Sequence, residues 1–459
     1  MRKARALFVL STSIGLLCAS TGALSKVDAA EAAKLGKELT CMGGDATANA
    51  DKTIPAFSGK WLGIPPGIQY TPHVGQHPVD PYPDDKPLFE ITAANFEKYV
   101  EKLTEGQQEM FRRYPTFRIP VYTGRRDFRF DDKVCEVGRK NALEAELIDG
   151  GPGFSGYQGT PPFPITTQAM EMLQNTTFPA IAFTEDITMD VANVQRTGEV
   201  FWGRKHGMNL NVVTEPDEVG KPMGKIMAYS LTRTLLPVRE QGSVSSAVEP
   251  VNFSTDKRLA WNYDPGTRRV RQLPMYGYDT PLSGTSGQMT IDQDRLMNGD
   301  PGRYEWKTKG KREIYLPANS YRLHGKDVKY ANLLTPNHAN PDYLRYELRR
   351  VWELEGTLKD GFRHAYGKRV LFLDEDTWQA SISDYYDARG ALWQHAFIAH
   401  YYAFDLKGWH AGNSFYHDLN TGNYIGYNLF QELPIGPVLN AGKMVPTMFG
   451  PEALRQIGN

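Results

Sequence analysis

Cysteine is nearly missing from this 459-residue chain, which has three in all, Cys18, Cys41 and Cys135. So few exclude a disulfide framework and a cysteine-rich metal fold. An excess of one charge is missing too: 52 basic against 53 acidic residues leave a formal net charge of −1. Nucleic-acid binders carry a strongly basic domain, so no nucleic-acid partner is expected. Past residue 25 no apolar run reaches membrane-spanning length. The chain also has no G-x-S-x-G elbow, no H-E-x-x-H and no phosphate-binding glycine loop.

What is present starts with a leader. Arg2, Lys3 and Arg5 precede the uncharged stretch Ala6 to Leu24, and Ala23-Leu24-Ser25 puts small residues at the −3 and −1 positions of a cut. Residues 1–25 therefore read as a secretory signal peptide, and the mature protein as periplasmic, with association to the outer membrane left open. An uncleaved anchor and a lipoprotein acylated at Cys18 are the competing readings; Leu17 is too large for a good lipoprotein cleavage site. An exported chain can oxidise Cys41 and Cys135 to a disulfide, and an ordinary buried thiol is the alternative for Cys135.

Composition is that of a globular protein, with 41% hydrophobic and 23% charged residues. Residues 26–90 are dense in proline and glycine and read as an extended arm after a short alanine-rich helix. His73 and His77 lie there between Pro72 and Pro78, a poor setting for a metal pair. Helices are expected over residues 91–177. Thr92 is a candidate N-cap for the first, which carries Phe96, Val100 and Leu103. Thr104 and Gln107 stand at capping-box spacing for the next, which carries Met110 and Phe111. A third starts at Asp131-Asp132, buries Val134, Val137, Ala145 and Ile148, and ends at Gly150-Gly151. "TTQAMEMLQN" gives a fourth.

From about residue 180 the pattern turns to short strands. "RRVWELEGTL" alternates, with Trp352, Leu354, Gly356 and Leu358 on one side and Glu353 and Glu355 on the other. Three segments share one grammar: "YDPGTRRV", "LDEDTWQA" and "HDLNTGNYI". Each has a strand ending at Asp, a tight turn and a returning strand, so Asp264, Asp374 and Asp418 read as turn formers. Arg268, Arg269 and Arg271 read as the solvated outer face of such a strand. The region 275–345 looks less regular.

Chemistry is harder to place. His395 and His400 at odd spacing on a strand suit no single metal, and no metal site and no cofactor are expected. Glu353 and Glu355 share a strand face and could pair as acid and base in glycoside chemistry, against the plainer reading of a solvated face. Aromatics are abundant, at 8 Trp, 24 Tyr and 21 Phe. They serve either sheet packing or a ligand on the concave side of a curved sheet.

Six motifs in order carry a family resemblance. They are "DKTIPAFSGKW", "DDKPLFEITAANFEKYVEKLTEGQQEMFRRYP", "RRVRQLPMYGYDTPLSG", "MNGDPGRYEWKTKGKREIYLPANSYRL", "RYELRRVWELEGTL" and "GKRVLFLDEDTWQ". The chain resembles, from about residue 35 to 430, the exported bacterial family called domain of unknown function thirteen twenty-nine. That resemblance implies kinship with the outer-membrane lipoprotein-sorting proteins of the LolA/LolB superfamily. The implied fold is α+β: a curved antiparallel sheet, or unclosed β-barrel, with N-terminal helices packed at its mouth. It also implies a setting beside an exporter of the resistance-nodulation-division type and an outer-membrane protein. No catalytic residue comes with it.

The resulting expectation is a LolA/LolB-like β-barrel domain over 91–435, its helical part at 91–177 either a separate lid or part of the same unit, followed by a C-terminal tail at 436–459. Its function would be binding and transfer of a hydrophobic small molecule or lipid, working with an envelope transporter. Cavity candidates are Trp261, Trp352, Leu354, Phe372 and Trp378. A structural or assembly factor for an outer-membrane protein or exporter is the second reading. A hydrolase of glycans or esters is the third, and needs carboxylates or a Ser/His pair to converge.

Overall fold

The computed structural model describes residues 27–148, 151–273 and 279–458, so the expected signal peptide lies outside the described residues. Among these, no helix is long and apolar enough to cross a membrane. The first strands in chain order are β1 (Phe89–Thr92), β2 (Arg118–Val121), β3 (Glu146–Ile148), β4 (Gly153–Ser155) and β5 (Thr184–Val194). Then come β6 (Val200–Asn211), β7 (Ile226–Leu236), β8 (Val244–Pro250), β9 (Leu259–Asp264), β10 (Arg269–Gln272) and β11 (Tyr304–Pro317). The last are β12 (Tyr346–Leu358), β13 (Lys368–Asp374), β14 (Ala380–Tyr386), β15 (Leu392–Ala403), β16 (Gly408–Asp418), β17 (Tyr424–Leu429) and β18 (Val438–Leu439). Helices are α1 (Ala29–Ala32), α2 (Glu105–Arg113), α3 (Asp132–Glu144), α4 (Ala169–Thr177), α5 (Tyr330–Leu333) and α6 (Pro451–Gly458).

The fold is α+β, built on one curved, unclosed sheet. Its main ladder runs β11-β12-β13-β14-β15-β16-β17-β5-β6-β7-β8-β9-β10, antiparallel throughout. The β1–β2 ribbon joins β12 through a single parallel pairing of Val121 with Tyr346, and β18 pairs with β5. Alternation sorts the side chains onto two faces. On β15, Ala396 and Ile398 belong to one apolar cluster, and Phe397 and Ala399 to another.

Both faces are covered over the centre of the sheet. On the first, Met172 and Leu173 of α4, Met289, Leu296 and Met297, and Met42, Tyr82 and Phe128 join the strand residues. On the second, Met110 and Phe111 of α2, with Leu323, Val328 and Leu333, do the same. Farther along, the second face of β6 to β9 packs Leu210, Leu231, Val244 and Tyr263 against Phe449 and Leu454, so the C-terminal segment ends in a helix on the sheet.

Local grammar accounts for much of this. The capping box at α2 is complete: Gln107 N donates to Thr104 Oγ1 at 3.1 Å, and Thr104 N donates to Gln107 Oε1 at 3.0 Å. The first expected helix is instead a 3₁₀ turn over Phe96–Lys102, with Asn95 and not Thr92 at its N-cap position. Helix α3 stops at Glu144, short of Gly150-Gly151, because Glu146–Ile148 leave it to pair with β4. Strand β11 is longer than its sequence suggested, since Tyr304 through Pro317 pair with β12 except at a bulge at Lys309.

The arm over residues 27–88 is fixed at many points. Cys41 and Cys135 form a disulfide pair with Cα atoms 4.7 Å apart. Gly63 N donates to Tyr402 Oη at 3.0 Å. His77 Nε2 lies 3.1 Å from the Phe430 carbonyl, and His73 Nδ1 lies 2.8 Å from that of Leu439. The two histidines thus tie the arm to the C-terminal part of the chain.

Candidate functional site

Trp306, Trp352 and Trp378 come together where β11, β12 and the β13–β14 turn meet α4. Trp306 stands opposite Gly356 in the β11–β12 register. A Cβ at Gly356 would come within 2.7 Å of the Trp306 ring, so glycine is what lets the indole lie across the strand pair. Trp352 and Trp378 have nearly parallel rings, at 7° with centroids 6.4 Å apart. Between these rings and the ends of α3 and α4 opens a groove of about 900 Å³, within the size range of small-molecule sites. Its other apolar walls are Leu39, Leu147, Phe163, Ile165 and Met170.

Trp378 is held with unusual firmness. Its backbone is left-handed, φ 57°, a conformation that bulky residues rarely adopt. Its Nε1 donates to the carbonyl of Met42, next to the Cys41–Cys135 bridge, and its own carbonyl accepts from Thr176 Oγ1 at 2.6 Å. Arm and helix thus converge on one tryptophan of the sheet's β13–β14 turn. Such strain persists only where the surroundings fix it, and it marks functional sites often enough to weigh here. Gly43 serves the same junction. It has φ +86°, and any Cβ there would run into the Pro164 carbonyl, 1.7 Å away.

Polar groups stand at one side of the groove. Lys311 Nζ lies 4.9 Å from the Trp352 ring centroid and 2.9 Å from Glu375 Oε2. Burial, with Thr166 donating to the carboxylate, sets Glu171: burial dominates and raises its pKa. Behind Lys311 lies a buried ionic network. Arg126 forks onto Asp376 at 2.8 Å to each oxygen, and Arg349 reaches Asp374 at 2.9 Å and Asp376 at 3.0 Å. Burial alone would raise Asp376, but Arg126 and Arg349 outweigh it and hold the carboxyl below its usual range. Asp374 accepts from Asp376 N as a turn former should, at 2.8 Å, and is also a member of this network.

Of the five residues read as cavity candidates, Trp352 and Trp378 line the groove. Leu354 is fully buried in the cluster on the same face of β12. Phe372 is packed on the opposite face, because it pairs with Glu353 and shares its side of the sheet. Trp261 lies away from the groove, half-buried beside Tyr263 and Leu454. Trp306, Met170 and Ile165 were not anticipated. The tryptophan sits in the lysine-rich run "EWKTKGK", and the other two follow the proline pairs of "PPFPITTQAM".

The remaining candidates are engaged elsewhere. Glu353 pairs with Arg312 at 2.7 Å and Glu355 with Lys309 at 3.2 Å, so neither stands ready as an acid or base. His395 Nδ1 contacts Asp384 at 2.7 Å, whose other oxygen accepts from Gly106 N at 2.8 Å at the start of α2. His400 is buried, and burial drives its pKa down to about 3. Among the described residues, no group of three His, Cys, Asp or Glu is placed to hold a metal.

Comparison with known proteins places the chain. An uncharacterized protein of Pseudomonas aeruginosa is 36% identical over 450 residues, 97% of this chain and 97% of its own. Two solved structures are similar in part. A DUF1329 family protein from Desulfovibrio piger, 17% identical, covers 62% of this chain and 95% of its own at a TM-score of 0.41. A LolA superfamily protein from Nitrosomonas europaea, 13% identical, covers 63% of this chain and 100% of its own at a TM-score of 0.38. The family model "Protein of unknown function (DUF1329)" matches residues 90–455. With that match and a full-length relative at 36% identity, the chain belongs to the DUF1329 family of proteins of unknown function.

Proposed function

We propose that this protein binds a hydrophobic ligand, an acyl chain or lipid, in the groove walled by Trp306, Trp352 and Trp378. The observation that carries the reading is the groove itself: an opening of about 900 Å³ lined by a tryptophan whose indole Nε1 and backbone carbonyl are both hydrogen-bonded. The chemistry fits a carrier. Burying about ten methylenes yields roughly 8 kcal/mol, against association costs of roughly 4–15 kcal/mol. Net affinity is then modest, and a ligand once held can be handed on. The family resemblance and the leader-like N-terminal sequence support a periplasmic setting, with an envelope exporter of the resistance-nodulation-division type and an outer-membrane protein as the proposed partners.

The test is native mass spectrometry of protein purified from the periplasm, together with uptake of a fluorescent fatty acid. The expected result is co-purifying lipid and uptake by the wild type, with uptake about ten-fold weaker in Trp352→Ala, which removes an indole wall without touching the Trp378 anchor. No lipid and no uptake would end the carrier reading. One observation favours a scaffold for an outer-membrane protein or exporter instead: Met289, Leu296, Met297, Met172 and Leu173 of this chain occupy much of the same face of the sheet. A scaffold would show no uptake and an unchanged partner interaction in Trp352→Ala.

A further inference from the structure

We propose that the open end of the sheet docks onto an anionic bilayer, with Val238 and the arginines Arg268, Arg269 and Arg271 meeting the phosphodiester headgroups. The inference is independent of whether the groove holds a ligand. Strand β10 ends the ladder: among the described residues it pairs with β9 alone. The three arginines are exposed, and none forms an ion pair with a described carboxylate. Other strand arginines are matched, as Arg204 is by Asp190 at 2.6 Å and Arg312 by Glu353 at 2.7 Å, although Arg233 on β7 is not among the described residues.

The neighbouring turn adds an apolar element. Val238, in the β7–β8 connection, is 75% exposed, more than any other large hydrophobic side chain among the described residues. The two turns touch, since a Cβ at Gly242 would lie 3.6 Å from Pro265. The carboxylates at this end do little to neutralise it. Glu240 is shared between Arg239 at 3.2 Å and Ser283 at 3.0 Å. Asp264, opposite Arg269 in the β9–β10 register, is occupied by its own turn, accepting from Gly266 N at 2.8 Å and Thr267 N at 3.2 Å. A basic patch therefore stands on a chain whose net charge is −1.

A charged edge strand also resists aggregation, but that role needs neither a single sign of charge nor an exposed valine beside it. An exposed aliphatic side chain on one turn, with arginines on the adjoining turn and edge strand, suits a bilayer surface, where the valine enters the headgroup layer and arginines grip phosphates. The charge complementarity of these exposed arginines with anionic headgroups makes a lipid surface the occupant that fits.

The experiment is sedimentation of the full protein with phosphatidylcholine vesicles, with or without about 30% phosphatidylglycerol. Binding is expected only with the anionic lipid, and it should weaken at least ten-fold as salt rises from about 0.05 M to about 0.5 M. Charge reversal in R268E/R269E/R271E should weaken it about a hundred-fold, and Val238→Asp about five-fold. Melting curves confirm that each variant is folded; where the triple reversal is not, R268Q/R269Q/R271Q replaces it, with a loss of about ten-fold expected. Equal binding to both vesicles, no binding to either, or wild-type binding by the folded triple variant would overturn the proposal. So would competition by millimolar inorganic phosphate, which would mark an anion site, or capture of an acidic protein without vesicle binding.

Discussion

Strand β14 is buried at every position from Ala380 to Tyr386, whereas β10, in the same sheet, leaves Arg269, Arg271 and Gln272 in solvent. The contrast extends to whole regions. From β13 through β17 to β5, helices, arm and loop segments cover both faces. From β6 to β10 the strands are largely half-buried, and the C-terminal segment supplies one covering face. An antiparallel sheet tolerates water on one side, so the strands alone do not explain double coverage. The covering segments do, and they come from residues far away in the chain. The groove opens on the covered half, and the proposed docking surface lies at the open end. One sheet thus offers a rigid wall for a ligand and an accessible tip for a surface.

Acid should act on the covered half first, and this is the largest effect expected. His324 Nδ1 lies 2.7 Å from the Ser320 carbonyl, while its Nε2 accepts from Asn413 N at 2.8 Å. That second bond requires a neutral ring. Burial drives the pKa down to about 3, with His410 and His77 adding to the shift. His400 is depressed to about 3 in the same way, by burial and then by His410, His324 and Arg295. The unfolded chain binds these protons near its ordinary pKa of about 6.5, the folded chain only near 3. Stability is therefore level above pH 6.5 and falls as pH drops from there toward 3, by on the order of 4 kcal/mol per histidine over the full window. Urea unfolding between pH 7.5 and about 4.5, above the main carboxylate range, isolates the effect. His324→Gln should reduce the slope, whereas Arg269→Gln on the open flank, where no imidazole is lost, should leave it unchanged. An equal change from both would erase the distinction between the regions.

Next in size is the ionic network under the groove. Asp376→Ala leaves Arg126 and Arg349 buried without their shared carboxylate, a loss of about 3–5 kcal/mol. Arg269→Ala on the open edge should change stability by less than about 0.5 kcal/mol. Equilibrium urea denaturation reads both. A small loss at Asp376 would mean that water or a neighbouring carboxylate such as Glu375 replaces it, and that this half is less tightly sealed than its burial suggests.

Much of the sheet is legible from period-two alternation, as at Trp352, Leu354 and Gly356 opposite Glu353 and Glu355 on β12. The capping box at Thr104 and Gln107 is legible too, because both partners sit within four residues. What escapes notice depends on distant partners. Arg126 and Asp376 are separated by 250 residues, and each alone reads as solvated charge in a turn or loop. Lys307, Lys309 and Lys311 disguise β11 as a loop until β12 supplies Glu355 and Trp352 opposite. In the groove, Trp352 and Trp378 were readable as apolar strand-region residues. Trp306 was not, since only the register with Gly356 gives it a wall to form. Phe372 shows the converse limit: an apolar residue on the right strand points to a face that only the pairing reveals.

The smallest effect separates two turns that look alike in sequence. Asp264 and Asp374 each end a strand and accept from an amide two residues on. Asp374 also binds Arg349 in a buried setting, whereas Asp264 works at the exposed β9–β10 turn with no ion pair among the described residues. Asp264→Ala removes an acceptor for two amides that water can reach, so the loss should be about 0.5–1 kcal/mol. Because β10 pairs, among the described residues, with β9 as its one strand neighbour, that loss should appear as local opening, not as a lower unfolding midpoint. Hydrogen exchange should quicken at Gly266, Thr267 and across β10 while β14 stays protected, and Asp264→Asn should restore much of the protection. Faster exchange in β14 as well would show that the open flank and the covered half unfold as one unit.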